Sequence, residues 1–127
     1  MTERPPFRVS ARLRSFRYAL RGIAAVLQSQ HNAWIHAAVS LLVIGAGLAI
    51  GLDRLEWCAL VLAMVAVWVA EALNTAFEAL CDVASPSLHP MVERAKDVAA
   101  GAVLIAAIGA VIIGLLVFVP HLLRRLG

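Results

Sequence analysis

The sequence predicts an all-α integral membrane protein, in which an N-terminal amphipathic surface helix precedes three transmembrane helices. Of its 127 residues, 62% are hydrophobic and only 15% are charged, whereas soluble domains are usually about half apolar and a quarter charged. A chain this short cannot bury such an excess in one soluble core. The apolar residues also form three long runs, 33–52, 57–81 and 98–119, each long enough to cross ~30 Å of hydrocarbon. We therefore expect a single domain, 1–127, with the bilayer as its solvent.

The segment before the first run has the pattern of a surface helix. In residues 9–29, apolar side chains recur every three or four positions and arginines lie off that stripe, which predicts a helix lying flat in the membrane interface. Pro5 and Pro6 predict a flexible tip at 1–8. The stripe consists of Leu13, Phe16, Leu20, Ile23 and Leu27.

The distribution of basic residues predicts the orientation, because segments rich in arginine and lysine stay on the cytoplasmic side. Six arginines precede the first span, and Arg94 and Lys96 lie between the second and third spans. The opposite side has Arg54 and two arginines of the tail. We expect the N-terminus and the 82–97 loop to face the cytoplasm. The net charge of +3 then fits an anionic membrane surface, and no nucleic-acid partner is expected.

Small residues in the spans predict close helix packing. The third span is rich in alanine and glycine, and Gly47 and Gly51 stand four apart in the first span. Small faces let helices approach closely in lipid. Because three short helices bury little by themselves, we also expect the chain to form oligomers. Cys58 and Cys81 are interpreted as small packed hydrophobes.

A stripe of polar side chains ends the second span, in the stretch VAEALNTAFEALCD. Each helical residue turns by about 100°, so the polar positions all fall within about 60° of the first one. Scattered polar residues would not share a face, and this stripe therefore indicates one site. Its members are Glu71, Asn74, Glu78 and Asp82.

The depth of this stripe gives its two ends different surroundings. With Trp57 as an interfacial anchor, Glu71 lies about 21 Å along the helix, or roughly 9 Å inside a ~30 Å hydrocarbon core. Glu78 is another ~10 Å further on, at the water edge. A charged group in the membrane costs about 2.5–3.5 kcal/mol on insertion scales and is a functional candidate by default. A structural carboxylate paired with a cation of a neighbouring helix is the alternative.

The start of the third helix places charges at the level of Glu78. After the break in SPSLHP, the segment MVERAKDVAAGAVL carries Lys96 and Asp97 just before the apolar run. Magnesium takes few protein carboxylates together with phosphate oxygens, and a lysine neutralises phosphate charge. The cluster therefore predicts a phosphate–metal site, although Lys96 and Asp97 alone would be a solvated helix start. No Walker or protein-kinase glycine loop is present.

The paired segments EALNTAFEALCD and AKDVAAGAVL resemble those of the small prokaryotic diacylglycerol kinases and the related undecaprenol kinases. SFRYALRGIAAVLQSQHNAWIH is similar to the surface helix and first-span start of that family, and the resemblance covers roughly residues 14–119. It implies a homotrimer in the bacterial cytoplasmic (inner) membrane, with active sites shared between subunits. It also implies an enzyme that transfers the γ-phosphate of ATP to a lipid hydroxyl, with Mg²⁺ as cofactor.

The resemblance also implies roles for individual residues. Glu71 is the general base on the lipid hydroxyl, Glu78 is a metal ligand for MgATP, and Asn74 and Asp82 support them. The positions that match nucleotide-contacting ones are Tyr18, Gln30, Glu78, Ser87, Leu88, His89, Lys96 and Asp97. The positions expected to contact the lipid substrate are Glu71, Ala100, Asn32 and Trp57.

Gln30 departs from the family, which usually has a second metal-binding glutamate there. An amide oxygen can ligate a hard cation but brings no net charge. We therefore expect Gln30 to be a metal ligand, but one that binds the ion more weakly than a glutamate would. The same departure motivates one alternative, a weakly active structural or regulatory member of the family.

Two further choices remain open. Diacylglycerol, giving phosphatidic acid, is the favoured substrate, and undecaprenol, giving undecaprenyl phosphate, is the alternative because Asn32, Ile35 and His36 are similar to undecaprenol kinases. His36 alone is interpreted as an interfacial or packed histidine. An ion-coupled oligomer that uses Glu71 as its carrier is the alternative from another class. It would not need the cytoplasmic cluster around Glu78.

Overall fold

The computed structural model describes residues 8–29, 31–85 and 89–127. The described residues form helices joined by short connections and contain no strand, which confirms the predicted all-α fold. The expected flexible tip lies outside the described residues except for Arg8. The helices are α1 (Val9–Ser29), α2 (His31–Ile50), α3 (Arg54–Ala84) and α4 (Pro90–Leu126).

Helices α2, α3 and α4 are each long and apolar enough to cross a membrane. Many of their large apolar side chains remain exposed, such as Leu48, Leu62 and Leu116. Such exposure is unfavourable in water and natural in lipid or against further subunits. Together with the apolar runs of the sequence, it makes the chain a multi-pass membrane protein.

Helix α1 has the bounds predicted for the surface helix. Its apolar stripe is open, with Leu13, Phe16 and Leu20 each about two-thirds exposed. Toward its end, Val26 is buried, and α1 contacts α2 and α3. Its position flat in the membrane interface stays a prediction.

Helix α3 begins at Arg54, three residues before the predicted span, because a capping box precedes it. Oδ1 of Asp53 accepts hydrogen bonds from the backbone N–H groups of Leu55 (2.8 Å) and Glu56 (2.9 Å). The Glu56 carboxylate accepts the Asp53 N–H in return, at 2.9 Å. Three backbone donors at the helix start are thereby satisfied, and the helix begins before the apolar run.

Helix α4 begins at Pro90, eight residues before its apolar run. The ring Nδ1 of His89 accepts a hydrogen bond from the backbone N–H of Met91 at 3.2 Å. Proline suits the first helical position, where no N–H donor is needed. The cap places Lys96 and Asp97 on a formed helix rather than on a loop.

The most extensive packing joins α3 to α4, while α2 and α1 pack against α3. A small apolar core of Leu52, Leu60 and Val117 lies at one end of this bundle. There, His121 Nε2 lies 2.8 Å from Glu56 Oε1 and links the end of α4 to the start of α3. The antiparallel register set at this end brings the polar stripe of α3 beside the start of α4.

Gly47 allows close packing between the end of α2 and the start of α3. A Cβ atom added there would lie 2.7 Å from Cη2 of Trp57 and 3.0 Å from Cδ1 of Leu52. Gly51, the other glycine of the predicted pair, ends α2 with φ near +79°, a conformation that favours glycine.

We expect Gly47→Ala to destabilise the fold, since overpacking a contact of this kind costs ~1–3 kcal/mol. The matched control is Gly45→Ala on the same helix, because an added Cβ there meets no atom of the described residues within 4 Å. Thermal unfolding of the two purified variants is the measurement. Equal midpoints would contradict the packing role assigned to Gly47.

Candidate active site

An open cavity of about 310 Å³ lies between α2, α3 and α4. Five of the residues singled out in the sequence line it together: Asn32, Glu71, Asn74, Glu78 and Ala100. They come from three different helices, so their meeting depends on the packing of the bundle. The cavity is completed by His36 and by the apolar side chains of Ile35, Val103, Leu104 and Ala107.

Helix α3 supplies the acidic wall of the cavity. Glu71 is fully buried, and Asn74, one turn further on, is 6% exposed. The Asn74 amide Nδ2 donates a hydrogen bond to Oε1 of Glu78 at 3.1 Å. The stripe predicted from the sequence is thus one face of α3, graded from a buried acid to a more open one.

The carboxylate of Glu71 is buried without a hydrogen-bond partner among the residues the structure describes. Asn74 Oδ1 is buried and unpartnered in the same way. The hydroxyl of Thr75 donates to the Glu71 backbone carbonyl at 2.9 Å and leaves the carboxylate unaffected. Buried polar atoms without partners cost free energy. Two such groups facing one cavity indicate a site shaped for a ligand.

Helix α2 contributes two polar side chains to the same cavity, Asn32 and His36. Nε2 of His36 lies 3.6 Å from Oε2 of Glu71, just beyond hydrogen-bond range. The interpretation of His36 as an interfacial or packed histidine did not identify this contact. A usable signal was present, because Asn32 and His36 are four residues apart and share a helix face.

Helix α4 contributes Ala100 to the lining of the cavity and carries two charged residues one turn before it, Lys96 and Asp97. Lys96 and Asp82 form an ion pair that joins α4 to α3. The Lys96 side chain is 38% exposed, and Asp97 is exposed. Neither is among the cavity-lining residues. An ion pair this open contributes little stability, so Lys96 can exchange Asp82 for another anion at low cost.

Several predicted site residues lie elsewhere. Trp57 packs beside Gly47 and Leu52, fourteen positions before Glu71 on the same helix. Tyr18 is 64% exposed and has the guanidinium of Arg21 5.9 Å from its ring centroid. His89 is exposed and caps α4. None of the three lines the cavity, and their functional roles stay predictions. The remaining predicted contacts, Gln30, Ser87 and Leu88, lie outside the described residues.

An apolar cleft of about 380 Å³ continues from the polar cavity. The two spaces share Ile35, His36 and Ala107, and the cleft runs along α4 to Phe118. Its walls are almost entirely apolar, apart from Ser40 and His36. A molecule with a polar head and an apolar chain would find matching surroundings across this junction.

A metal ion would have few protein ligands in this cavity. Within the described segments, no three His, Cys, Asp or Glu side chains converge. Glu78 offers a carboxylate, and the buried Asn74 Oδ1 offers an amide oxygen that has no hydrogen-bond partner among these described segments. This small set of oxygens fits a hard cation that takes its other ligands from phosphate and water.

Comparisons with known proteins show which family this chain is similar to. A family model described as prokaryotic diacylglycerol kinase matches residues 17–118. The undecaprenol kinase of Bacillus subtilis is 38% identical over 109 residues, which cover 86% of this chain and 89% of that protein. The diacylglycerol kinase of a Synechocystis species is 41% identical over 110 residues, covering 86% of this chain and 63% of that protein.

Proposed function

The chain belongs to the prokaryotic diacylglycerol kinase family, and we propose that it transfers the γ-phosphate of ATP to the hydroxyl of a membrane lipid alcohol. The observation that carries the proposal is the position of Glu71. Its fully buried carboxylate has no hydrogen-bond partner among the described residues and lines the polar cavity beside His36, a residue that also lines the apolar cleft. A lipid alcohol with its chain in the cleft would present its hydroxyl to that carboxylate.

Glu71 is the general base of the proposed reaction. Its carboxylate takes the proton from the lipid hydroxyl while the oxygen forms a bond to the γ-phosphorus of ATP. The bond from that phosphorus to the bridging oxygen of ADP breaks, and ADP leaves. Such transfers need mainly positioning and charge stabilisation, and a positioned base typically contributes about 10²- to 10⁴-fold.

Glu78 would hold Mg²⁺ beside the phosphates of ATP, supported by Asn74, and Mg²⁺ would offset phosphate charge when bound. Asn74 orients Glu78 through the 3.1 Å hydrogen bond from Nδ2. Lys96 would contact the phosphates after leaving Asp82, and Asp97 would face the nucleotide. Gln30 is proposed as a weak additional metal ligand. Tyr18 and the segment from Ser87 to His89 are proposed as further nucleotide contacts.

The proposed setting is the bacterial cytoplasmic membrane, with the N-terminus in the cytoplasm. The excess of arginine before the first span supports this orientation, and ATP would then reach Glu78 from the cytoplasmic side. We also propose a homotrimer with shared active sites. The large exposed apolar side chains of the three spanning helices leave ample surface for contacts with neighbouring subunits.

Diacylglycerol is the proposed substrate, and undecaprenol is the second candidate. The relative named undecaprenol kinase is matched over 89% of its length, more than the 63% of the relative named diacylglycerol kinase. The cleft suits the apolar part of either lipid. We propose that the head of the substrate contacts Asn32 and Ala100, which line the polar cavity. Trp57 is proposed as a more distant contact of the lipid.

The test is a phosphorylation assay on the purified full chain in lipid nanodiscs, with ATP labelled at its terminal phosphate and Mg²⁺. Diacylglycerol and undecaprenol are offered separately, and the extracted lipids are resolved by chromatography. We expect label in phosphatidic acid. Label only in undecaprenyl phosphate would establish the second candidate, and no labelled lipid from either substrate would contradict the proposed function.

A further inference from the structure

His36 of α2 is the only imidazole lining the cavity among the described residues. Its side chain is 16% exposed, and its Nε2 lies 3.6 Å from Oε2 of Glu71. Neither this nitrogen nor either oxygen of Glu71 has a hydrogen-bond partner within the described part of the chain. The buried imidazole nitrogen could therefore donate to the buried carboxylate that faces it, and both groups would then have a hydrogen-bond partner.

A second contact between the same two helices holds this pair in register. Trp68 lies three positions before Glu71 on α3, and Ser40 lies four positions after His36 on α2. The Trp68 indole Nε1 donates a hydrogen bond to Ser40 Oγ at 3.1 Å. Because α2 and α3 run in opposite directions, this bond lies about one helical turn from the His36–Glu71 contact. The distance between the two side chains is therefore set by a fixed crossing of the helices.

The Trp68 ring also limits the orientation of the imidazole. The two rings meet edge to face, with centroids 6.3 Å apart and an interplanar angle of 68°. Edge-to-face contacts are a favoured arrangement of aromatic rings. The ring of His36 is thus supported on one side while Nε2 faces the carboxylate.

From this arrangement we propose that His36 is a positioning residue for the general base, donating a hydrogen bond from Nε2–H to Oε2 of Glu71. The bond leaves Oε1 free to take the proton of the substrate hydroxyl. At 3.6 Å the bond is not yet formed, and it requires a shortening of a few tenths of an ångström. Hydrogen bonds of catalytic groups are often long without substrate and tighten when it binds.

The proposed hydrogen bond would stabilise the ionised carboxylate of Glu71. Without an N–H donor, the ionised form of Glu71 is buried with nothing to replace the water it has lost. A hydrogen bond to a charged acceptor is short and about twice as strong as one between neutral groups. His36 would supply that bond to Glu71 and not to the reacting atoms, and its main effect would therefore appear in the turnover number.

The inference rests on the proposed function and is tested with two substitutions of similar size. In His36→Gln, the amide Nε2 lies near the position of the imidazole Nε2 and can donate, whereas His36→Leu has no donor. We expect His36→Leu to lower kcat by about 10- to 100-fold, the usual range for losing a hydrogen bond to a charged group. KM for MgATP and for lipid should change by no more than about twofold, since only the reacting state is affected. His36→Gln should recover most of kcat.

Three results would overturn the role of His36. Wild-type kcat in His36→Leu would show that no hydrogen bond is needed. The second result is that kcat falls as far in His36→Gln as in His36→Leu, while both variants stay as helical and thermally stable as the wild type. It would show that the shape of the ring matters and the hydrogen bond does not. An effect confined to KM would assign His36 to binding instead. Absence of lipid labelling by the wild type would overturn the proposed function together with this inference, whereas the three results above leave the proposed function intact.

Discussion

Glu71→Gln is expected to abolish nearly all lipid phosphorylation while leaving the fold intact or slightly more stable. The amide keeps the shape of the side chain but cannot accept the proton of the lipid hydroxyl. Loss of a positioned general base typically costs about 10²- to 10⁴-fold in rate. Since the lost interaction develops during the reaction, kcat should fall while KM for MgATP stays close to the wild-type value.

Stability should move in the opposite direction to activity. The Glu71 carboxylate is fully buried and has no hydrogen-bond partner in the part of the chain that the structure describes. Replacing a buried, unpaired acid by a neutral amide removes a desolvation cost. Residues that serve catalysis at the expense of stability commonly behave in this way. The thermal midpoint of Glu71→Gln should therefore equal or exceed that of the wild type.

Glu93→Gln is the matched control, because Glu93 lies in the exposed first turn of α4, outside the cavity. This control makes the same chemical change and should retain wild-type turnover. Lipid labelling and thermal unfolding are measured on the same preparations. If Glu71→Gln kept more than about a tenth of wild-type kcat, its assignment as general base would be wrong.

The helices could be predicted from the sequence because each rests on a local property. Three uncharged or nearly uncharged runs predicted α2, α3 and α4, and a stripe of period three to four predicted α1. The first residues of α3 and α4 were predicted less well. They depend on single capping side chains, Asp53 and His89, which let the helices begin before the apolar residues.

The part of the site on one helix was also predictable. Glu71, Asn74 and Glu78 share a face of α3 by helical geometry alone, and the structure places them along one cavity. The pairing of Lys96 with Asp82 was not predicted, because it depends on the register of α4 against α3. The contact of His36 with Glu71 was not predicted for the same reason. The role proposed for His36 depends on its contact with Glu71, which lies 35 positions later in the sequence. The two side chains come together only because α2 and α3 cross.

The second large effect is expected from Glu78→Gln, which should mainly impair the use of MgATP. Glu78 is the carboxylate proposed to hold Mg²⁺, and a neutral amide at that position loses most of the attraction for the cation. Loss of a partner that only orients a metal ligand typically costs about 10- to 100-fold. We expect loss of the ligand itself to exceed that range in kcat/KM for MgATP and to raise the Mg²⁺ concentration needed for half-maximal rate.

Asn74→Ala provides the graded comparison. Asn74 donates to Glu78 through Nδ2 at 3.1 Å, and its buried Oδ1 has no hydrogen-bond partner in the described part of the chain. Its removal should fall within the roughly 10- to 100-fold range and shift the Mg²⁺ requirement in the same direction. Titrations of rate against Mg²⁺ at fixed ATP are the measurement. An unchanged Mg²⁺ requirement in Glu78→Gln would remove Glu78 from the metal site, because a carboxylate that binds the ion cannot lose its charge without weakening that binding.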